Sequence, residues 1–382
     1  MEKHLHIICF DVPYPVDNGV MMDIFYTLQT LHAAGIQVHL HCFDGGRGEQ
    51  SDLDKYCAEV NYYPLQSGHK GFSYKLPYGV ASRSNPELLT RLIQDDFPIL
   101  LEGIQCSYLL YDEQFSNRKI FLRTHQVAHR YFRELSQASS SPFKKLYYLH
   151  ESKLMLKHEN YIAGKVTILT QCQQDAAVYR QELKAKAVIS LPAFLPFQDT
   201  ASKGGIGCFC LYHGNLSAIH NEKAALWLLR NVANKLNVHF VFAGKDPSPR
   251  LEQAIRSQSN TCLVANPSEQ EMQDLISQAH IHVLPSLSNK PFHVKLLNAL
   301  FNGRHCIVNE QMVIDSALAP SCHVATTAEA FQSVIVQLKH QPFDDHEILL
   351  RRNLLHKYFD NEQNAKRLLS LIYGELSIVN GQ

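Results

Sequence analysis

Lys290, His293 and Lys295 crowd the amino end of one short apolar stretch, residues 285–303. That stretch follows a predicted strand over 281–284. It reads as a helix, because Val294, Leu296, Leu297, Leu300 and Phe301 recur near helical and not strand spacing. Gly303 stands where a helix C-terminal cap belongs, with Asn302 before it. The start of a helix already concentrates positive potential, so acids are the residues usually found there. Three potential cations in that place fit an anion held between them and the free N–H groups; a nucleotide diphosphate is such an anion. The competing reading is a set of solvated lysines.

Other groups at predicted strand ends could take part in the same chemistry. Asp17, Asn18 and Gly19 close the turn-rich loop after the first strand, where glycine would let the backbone approach a phosphate or an acceptor. Arg123 and His125 end a strand near residue 123 and share one face of it. His125 suits contact with a sugar or polarisation of a hydroxyl near neutral pH. Gly214 with Asn215, and Gly244 with Lys245, also follow predicted strands. Asp52-Leu53-Asp54 sits at a helix start, where acids are expected without a metal. No HExxH-type zinc spacing and no GxGxxG after the first strand occurs. The alternating pairs His39/His41 and His280/His282 lie in predicted strands and read as packing.

The elements that must position these groups alternate regularly. Strands are expected at 5–10, 38–43, 99–101, 120–123, 167–169 and 187–191, with helices at 21–34, 86–94 and 174–183 between them. Pro192, Pro196 and the polar run 198–205 form a linker. The alternation then restarts, with strands at 208–213, 238–243, 262–264, 281–284 and 306–308 and helices at 221–234, 249–257 and 268–278. Strand, helix, strand repeats predict parallel sheets covered on both faces. Ligands of such sheets bind beyond the carboxyl ends of the strands. The expected organisation is therefore α/β, two Rossmann-like doubly wound domains (1–197 and 198–345) facing a central cleft. A helical tail, 346–382, is expected to pack back toward the first domain.

Composition narrows the partners. The 36 basic and 36 acidic residues cancel, which argues against a nucleic-acid binder. Ten cysteines are scattered without a CxxC pair, which points to a reducing, cytoplasmic setting. The first apolar run stops at Asp11 and reads as a strand, not a signal peptide. Residues 142–159 carry Lys144, Lys145, Lys153, Lys157, Tyr147 and Tyr148. They read either as a solvated helix or as a face for a lipid-linked acceptor or the inner surface of a membrane.

Several segments together resemble the GT-B glycosyltransferases, in particular family 4, the glycosyl transferases group 1. They are Tyr212 to Leu216, Ala243 to Pro249, and Lys290 to Gly303, the last aligning with that family's Glu-x7-Glu block and its Ala-x-x-x-Gly tail. Pro13 to Gly19 and Arg123-Thr124-His125 are similar to its first loop and its mid-domain histidine segment. The likeness implies a first domain that holds the acceptor through Asp17, Asn18, Gly19, Arg123 and His125. It implies a second domain that holds the donor through Gly214, Asn215, Lys245, Lys290, His293, Val294, Lys295 and Asn298. His125, Lys245 and Lys295 would serve catalysis. The implied donor is a nucleotide-diphosphate sugar, with no metal or other cofactor required; the acceptor is a glycan or lipid-linked hydroxyl, and configuration is retained.

The departures are specific. Lys290 and Asn298 stand where the family has acids, and Asn215 where it has arginine. Asn298 keeps hydrogen-bonding capacity toward a ribose, whereas Lys290 would instead neutralise diphosphate. Two alternatives follow from these losses: a non-catalytic GT-B subunit that binds a nucleotide sugar or a partner, and a nucleotide-sugar epimerase.

Overall fold

The computed structural model describes residues 2–66, 68–287, 294–313 and 317–374. It forms two compact units, one of Met1–Pro196 with Phe359–Gln382 and one of Phe197–Tyr358.

In the first unit, β1 (Lys3–Cys9), β2 (Ile36–Asp44), β3 (Glu59–Pro64), β4 (Ile99–Glu102), β5 (Ile120–Thr124), β6 (Thr167–Thr170) and β7 (Ala187–Ser190) make one sheet. Its order is β3-β2-β1-β4-β5-β6-β7, every pair parallel. The second unit repeats the plan with β8 (Cys210–Asn215), β9 (Phe240–Lys245), β10 (Thr261–Ala265), β11 (Ile281–Leu284), β12 (His305–Val308) and β13 (His323–Val324). Its order is β10-β9-β8-β11-β12-β13, again all parallel. The expected doubly wound α/β class is what the chain adopts. Central strands such as β4 and β11 are buried at every residue, as a sheet covered on both faces requires. In each sheet the strand order reverses beside its first strand, between β1 and β4 and between β8 and β11. Those are the switch points where ligands of such folds sit.

Edge strands β3 and β13 were not legible in the sequence. β3 is Glu-Val-Asn-Tyr-Tyr-Pro, mostly half-buried, and β13 is two residues long. The helices start on chemistry that was legible. Asn18 caps Gly19–Ala33 by accepting from the Val20 and Met21 amides. Ser248 caps Pro249–Arg256, and Ser268 with Glu271 forms a full capping box on Glu269–Gln278.

The tail is helical, in two pieces. It breaks at Asp360, whose side chain caps the next helix. The helix Asp345–Phe359 belongs mainly to the second unit, while Asn361–Tyr373 belongs to the first. In the first unit Ala365, Leu368 and Ile372 join the core built by Met21, Ile24, Leu28 and Leu40. The Tyr373 hydroxyl donates to the His4 carbonyl at 2.8 Å.

Gly303 follows the last helical residue, as expected of a cap, and its amide donates to the Ala299 carbonyl, but its backbone is not left-handed. A Cβ there would lie 2.0 Å from His282 Nε2, so close approach of the helix end to β11 demands glycine.

Candidate functional site

The helix Val294–Asn302 follows β11 and buries Leu296, Leu297, Leu300 and Phe301. Each such side chain contributes roughly 1.5–3 kcal/mol of burial, which holds the helix in one rotation. Lys295 is thereby turned toward the end of the neighbouring strand, β8. Its Nζ donates to Asn221 Oδ1 at 3.1 Å and stands 4.9 Å from the centre of the Tyr212 ring. Among the described residues no carboxylate pairs with it. Burial lowers Lys295 to a pKa of about 8. Among the described residues the cation is thus desolvated and answered by an amide dipole and a ring face, an arrangement that favours an incoming anion.

The loops beside Lys295 are shaped by close backbone contact. Gly214 has φ of +144°, and a Cβ there would meet Asn221 Nδ2 and Lys295 Cδ, each at 3.6 Å. Gly214 pairs with Gly244 across β8 and β9, and a Cβ on Gly244 would fall 1.8 Å from the Gly214 carbonyl oxygen. Asn221 Nδ2 donates to the Asn215 carbonyl at 2.9 Å, so one amide side chain holds both the loop after β8 and Lys295. Asn215 Oδ1 accepts from the Ser217 amide and hydroxyl at 3.0 and 2.7 Å, folding the loop on itself. Beyond β11, the Ser286 amide donates to Asn309 Oδ1 at 2.8 Å and the Ser286 carbonyl accepts from Asn309 Nδ2 at 2.6 Å.

Among the expected donor groups, Gly214, Asn215, Lys245 and Lys295 therefore all lie at or beside the carboxyl ends of β8, β9 and β11. Lys245 is exposed at the end of β9. Val294 opens the helix, and Asn298 lies one turn further on. Asn298 Oδ1 accepts from Asn302 Nδ2 at 2.8 Å, so its oxygen is engaged within its own helix. Lys290 and His293 lie outside the described residues. Sequence reading missed Asn221, which ties Lys295 to the loop after β8; its signal was an amide six residues beyond the strand end.

In the first unit, the groups near the carboxyl ends of β4 and β5 form a buried charge cluster. Arg123 Nη2 donates to Asp23 Oδ1 at 2.7 Å and to the Pro192 carbonyl at 3.2 Å. Its Nη1 donates to Thr27 Oγ1 at 3.0 Å and to Glu102 Oε1 at 3.4 Å. Arg123, Asp23 and Glu102 are all 0% exposed. Burial raises the Asp23 carboxyl despite the opposing pull of Arg123 and His125. At Glu102 burial pushes up, but Arg123 and His125 outweigh it and hold the carboxyl below its usual value. The expectation that Arg123 meets an acceptor gives way here, since its guanidinium is enclosed and committed to internal partners. It braces the strand ends.

His125 sits in the same cluster. Gln171 Nε2 donates to Asp23 Oδ2 at 2.6 Å and lies 3.1 Å from His125 Nδ1. Nδ1 then acts as acceptor, which leaves the ring proton on Nε2, 3.4 Å from Glu102 Oε2. The ring is 9% exposed, so it is an oriented group at the margin of the cluster. Asp17 pairs with Arg47 at 2.7 Å, and Arg47 also reaches Asp11 at 3.2 Å. Asn18 and Gly19 serve as cap and first residue of the helix Gly19–Ala33. Asp23, Glu102 and Gln171 lie in a helix, a strand and the loop after β6, and carried no spacing signal.

Residues 208–340 match the family model described as glycosyl transferases group 1. The chain is 24% identical over 319 residues to an "uncharacterized 44.6 kDa protein in cps region" of Klebsiella pneumoniae, covering 78% of this chain and 80% of that one. Among solved structures it is similar to sucrose-phosphate synthase from Thermosynechococcus elongatus, with TM-score 0.69 and 14% identity over 98% of this chain and 99% of that chain. It is also similar to Anabaena Alr3699/HepE in complex with UDP and glucose, with TM-score 0.61 and 11% identity over 97% and 99%. At such identities the likeness establishes the fold, which is that of the GT-B glycosyltransferases.

Proposed function

We propose that this GT-B chain, whose second unit carries the group 1 glycosyltransferase match, moves a sugar from a nucleotide-diphosphate donor to a hydroxyl acceptor. The acceptor is a saccharide or lipid-linked glycan, the configuration is retained, the transfer uses no metal, and the setting is polysaccharide biosynthesis in the cytoplasm. The observation that carries this reading is Lys295, a desolvated cation with no described carboxylate partner, beside the Gly214 loop at the switch point between β8 and β11. A diphosphate seated there meets Lys295, Lys245 and the amino end of the helix Val294–Asn302. As the glycosidic bond breaks, charge grows on the departing diphosphate, and groups fixed in advance stabilise it without reorganising. The diphosphate then takes the acceptor proton. The UDP and glucose bound in the Anabaena relative are in keeping with this donor class.

A thermal-shift panel of UDP, GDP and ADP sugars, followed by transfer assays, tests the proposal. One base should raise the melting temperature, and Lys295→Ala should lower turnover by roughly a hundredfold or more. A folded Lys295→Ala protein with full turnover removes that lysine from the mechanism, and a panel with no shift removes the donor site.

Asn298 favours a second reading, a non-catalytic binding subunit, because the oxygen at the place of the family's second acid is engaged by Asn302. Saturable binding without transfer or hydrolysis would select it.

The acceptor end has its own support. At the start of the helix Pro142–Ala163, Phe143 is 87% and Leu146 70% exposed, beside exposed Lys144 and Lys145. That combination suits an anionic lipid surface. Replacing both apolar residues by Glu should abolish co-sedimentation with anionic vesicles; no sedimentation of the parent protein would sink the lipid reading.

A further inference from the structure

A second chemical cluster lies in the second unit, at the opposite end of the sheet from the donor loops. His305 is the first residue of β12 and His323 the first of β13. The register pairs Ile307 with His323, which sets His305 two residues away on the diagonal of the same face. Glu347 comes from the first turn of the helix Asp345–Phe359. One ligand atom of each of the three residues falls within 4.8 Å of the others.

The hydrogen bonds decide what these atoms are. His305 is 0% exposed, and its Nε2 lies 3.1 Å from the Gln341 carbonyl, which can only accept. The ring proton therefore sits on Nε2, and Nδ1 presents a lone pair. That Nδ1 has no hydrogen-bond partner among the described residues, yet it stands 3.4 Å from Glu347 Oε1. Glu347 is oriented in turn, because its Oε2 accepts from the Asp344 amide at 3.4 Å. A buried lone pair facing a carboxylate oxygen is unfavourable unless a positive species lies between them. A proton shared between the two would make a hydrogen bond, and Nδ1 makes none among the described residues. The spacing suits a metal instead, because two ligands each about 2.0–2.1 Å from a tetrahedral centre stand roughly 3.4 Å apart.

We propose that His305 Nδ1, a ring nitrogen of His323 and Glu347 Oε1 bind a divalent cation of the Zn²⁺ class, with water as the fourth ligand. Two imidazoles and one carboxylate are a donor set suited to borderline first-row cations. The Gln341 carbonyl is the outer partner that holds the His305 ring in its ligating tautomer. Arg351, on the same helix, is a positive charge that acts on both histidines. Its guanidinium is already engaged by the carbonyls of Gly303 and Arg304 and lies over the Phe343 ring at 4.4 Å. Glu347 is a quarter exposed, which leaves the ion a route in. Because His305 begins its strand while donor loops leave strand ends, the ion ties a helix to the sheet edge and takes no part in transfer.

The test uses the full chain, stripped with a chelator, reloaded with Zn²⁺ and desalted. One Zn²⁺ per chain should be retained and the melting temperature should rise. Retention should vanish in His323→Ala, and Glu347→Gln should weaken it at least about tenfold. Ten free cysteines offer a competing site, with Cys208 and Cys262 exposed. Co²⁺ substitution separates the two, because thiolate ligands add a charge-transfer band that this site lacks. The circular dichroism of each variant confirms folding, and should His323→Ala fail to fold, Glu347→Gln carries the comparison. No retained Zn²⁺, retention unaltered in the folded variants, or a thiolate band would each overturn the assignment.

Discussion

Lys295 and Arg123 are both cations withdrawn from water, and their surroundings send them to opposite tasks. Arg123 faces two buried carboxylates at 2.7 and 3.4 Å, so its charge is satisfied within the fold. Lys295 has Asn221 and the Tyr212 ring, and desolvation brings it down to about 8. A bound diphosphate would restore the charge and raise that value. Above pH 8 the complex then holds more protons than the empty protein, so affinity for a nucleotide-diphosphate sugar should fall as pH rises. The decline approaches about tenfold per unit until the pKa of the complex is reached. Calorimetric titration between pH 7 and 9.5 checks this, with Lys295→Met as control. A flat profile in the parent protein, or the same slope in the variant, would show that another group holds the anion.

At the scale of elements, the region proposed to hold the donor is built by strand ends that come closer than side chains allow. Gly214 and Gly244 meet where β8 and β9 finish, and a methyl on Gly244 would overlap the Gly214 carbonyl oxygen. Gly244→Ala should therefore splay the two loops, costing about 1–3 kcal/mol or more in stability. It should also weaken donor binding, because the Asn215 carbonyl that anchors Asn221 moves with β8. Urea unfolding together with thermal shift by the donor would measure both. An alanine variant of undiminished stability would mean that the approach is looser than described. The helix Asn361–Tyr373 shows the same dependence on neighbours, since its polar sequence becomes a packed element only where Leu368 and Ile372 find the first core.

For the whole molecule, the chain leaves the first unit near residue 196, builds the second, and returns at 359. Stability of the first unit consequently depends on residues far along the chain from its sheet. Leu368, fully buried in a core with Met21 and Leu28, is the sharpest probe of that return. Leu368→Ala should destabilise by about 2–5 kcal/mol, seen as a lower melting transition with donor binding in the second unit retained. Loss of the second transition alone would contradict the division.

Sequence by itself determined the architecture, because parallel strands buried on both faces must read as apolar runs, and the helices between them carry their own caps and period. It also singled out Gly214 and Lys245, which lie in the last residues of β8 and β9, and Lys295, in the first turn of the helix that follows β11. Tertiary structure alone decided that Arg123 is internal, that Gly303 serves His282, and that His305, His323 and Glu347 converge. Each of those outcomes depends on atoms contributed by elements distant along the chain. Spacing in sequence encodes local geometry, whereas burial, hydrogen-bond pairing and clash are set by whatever the fold happens to place opposite.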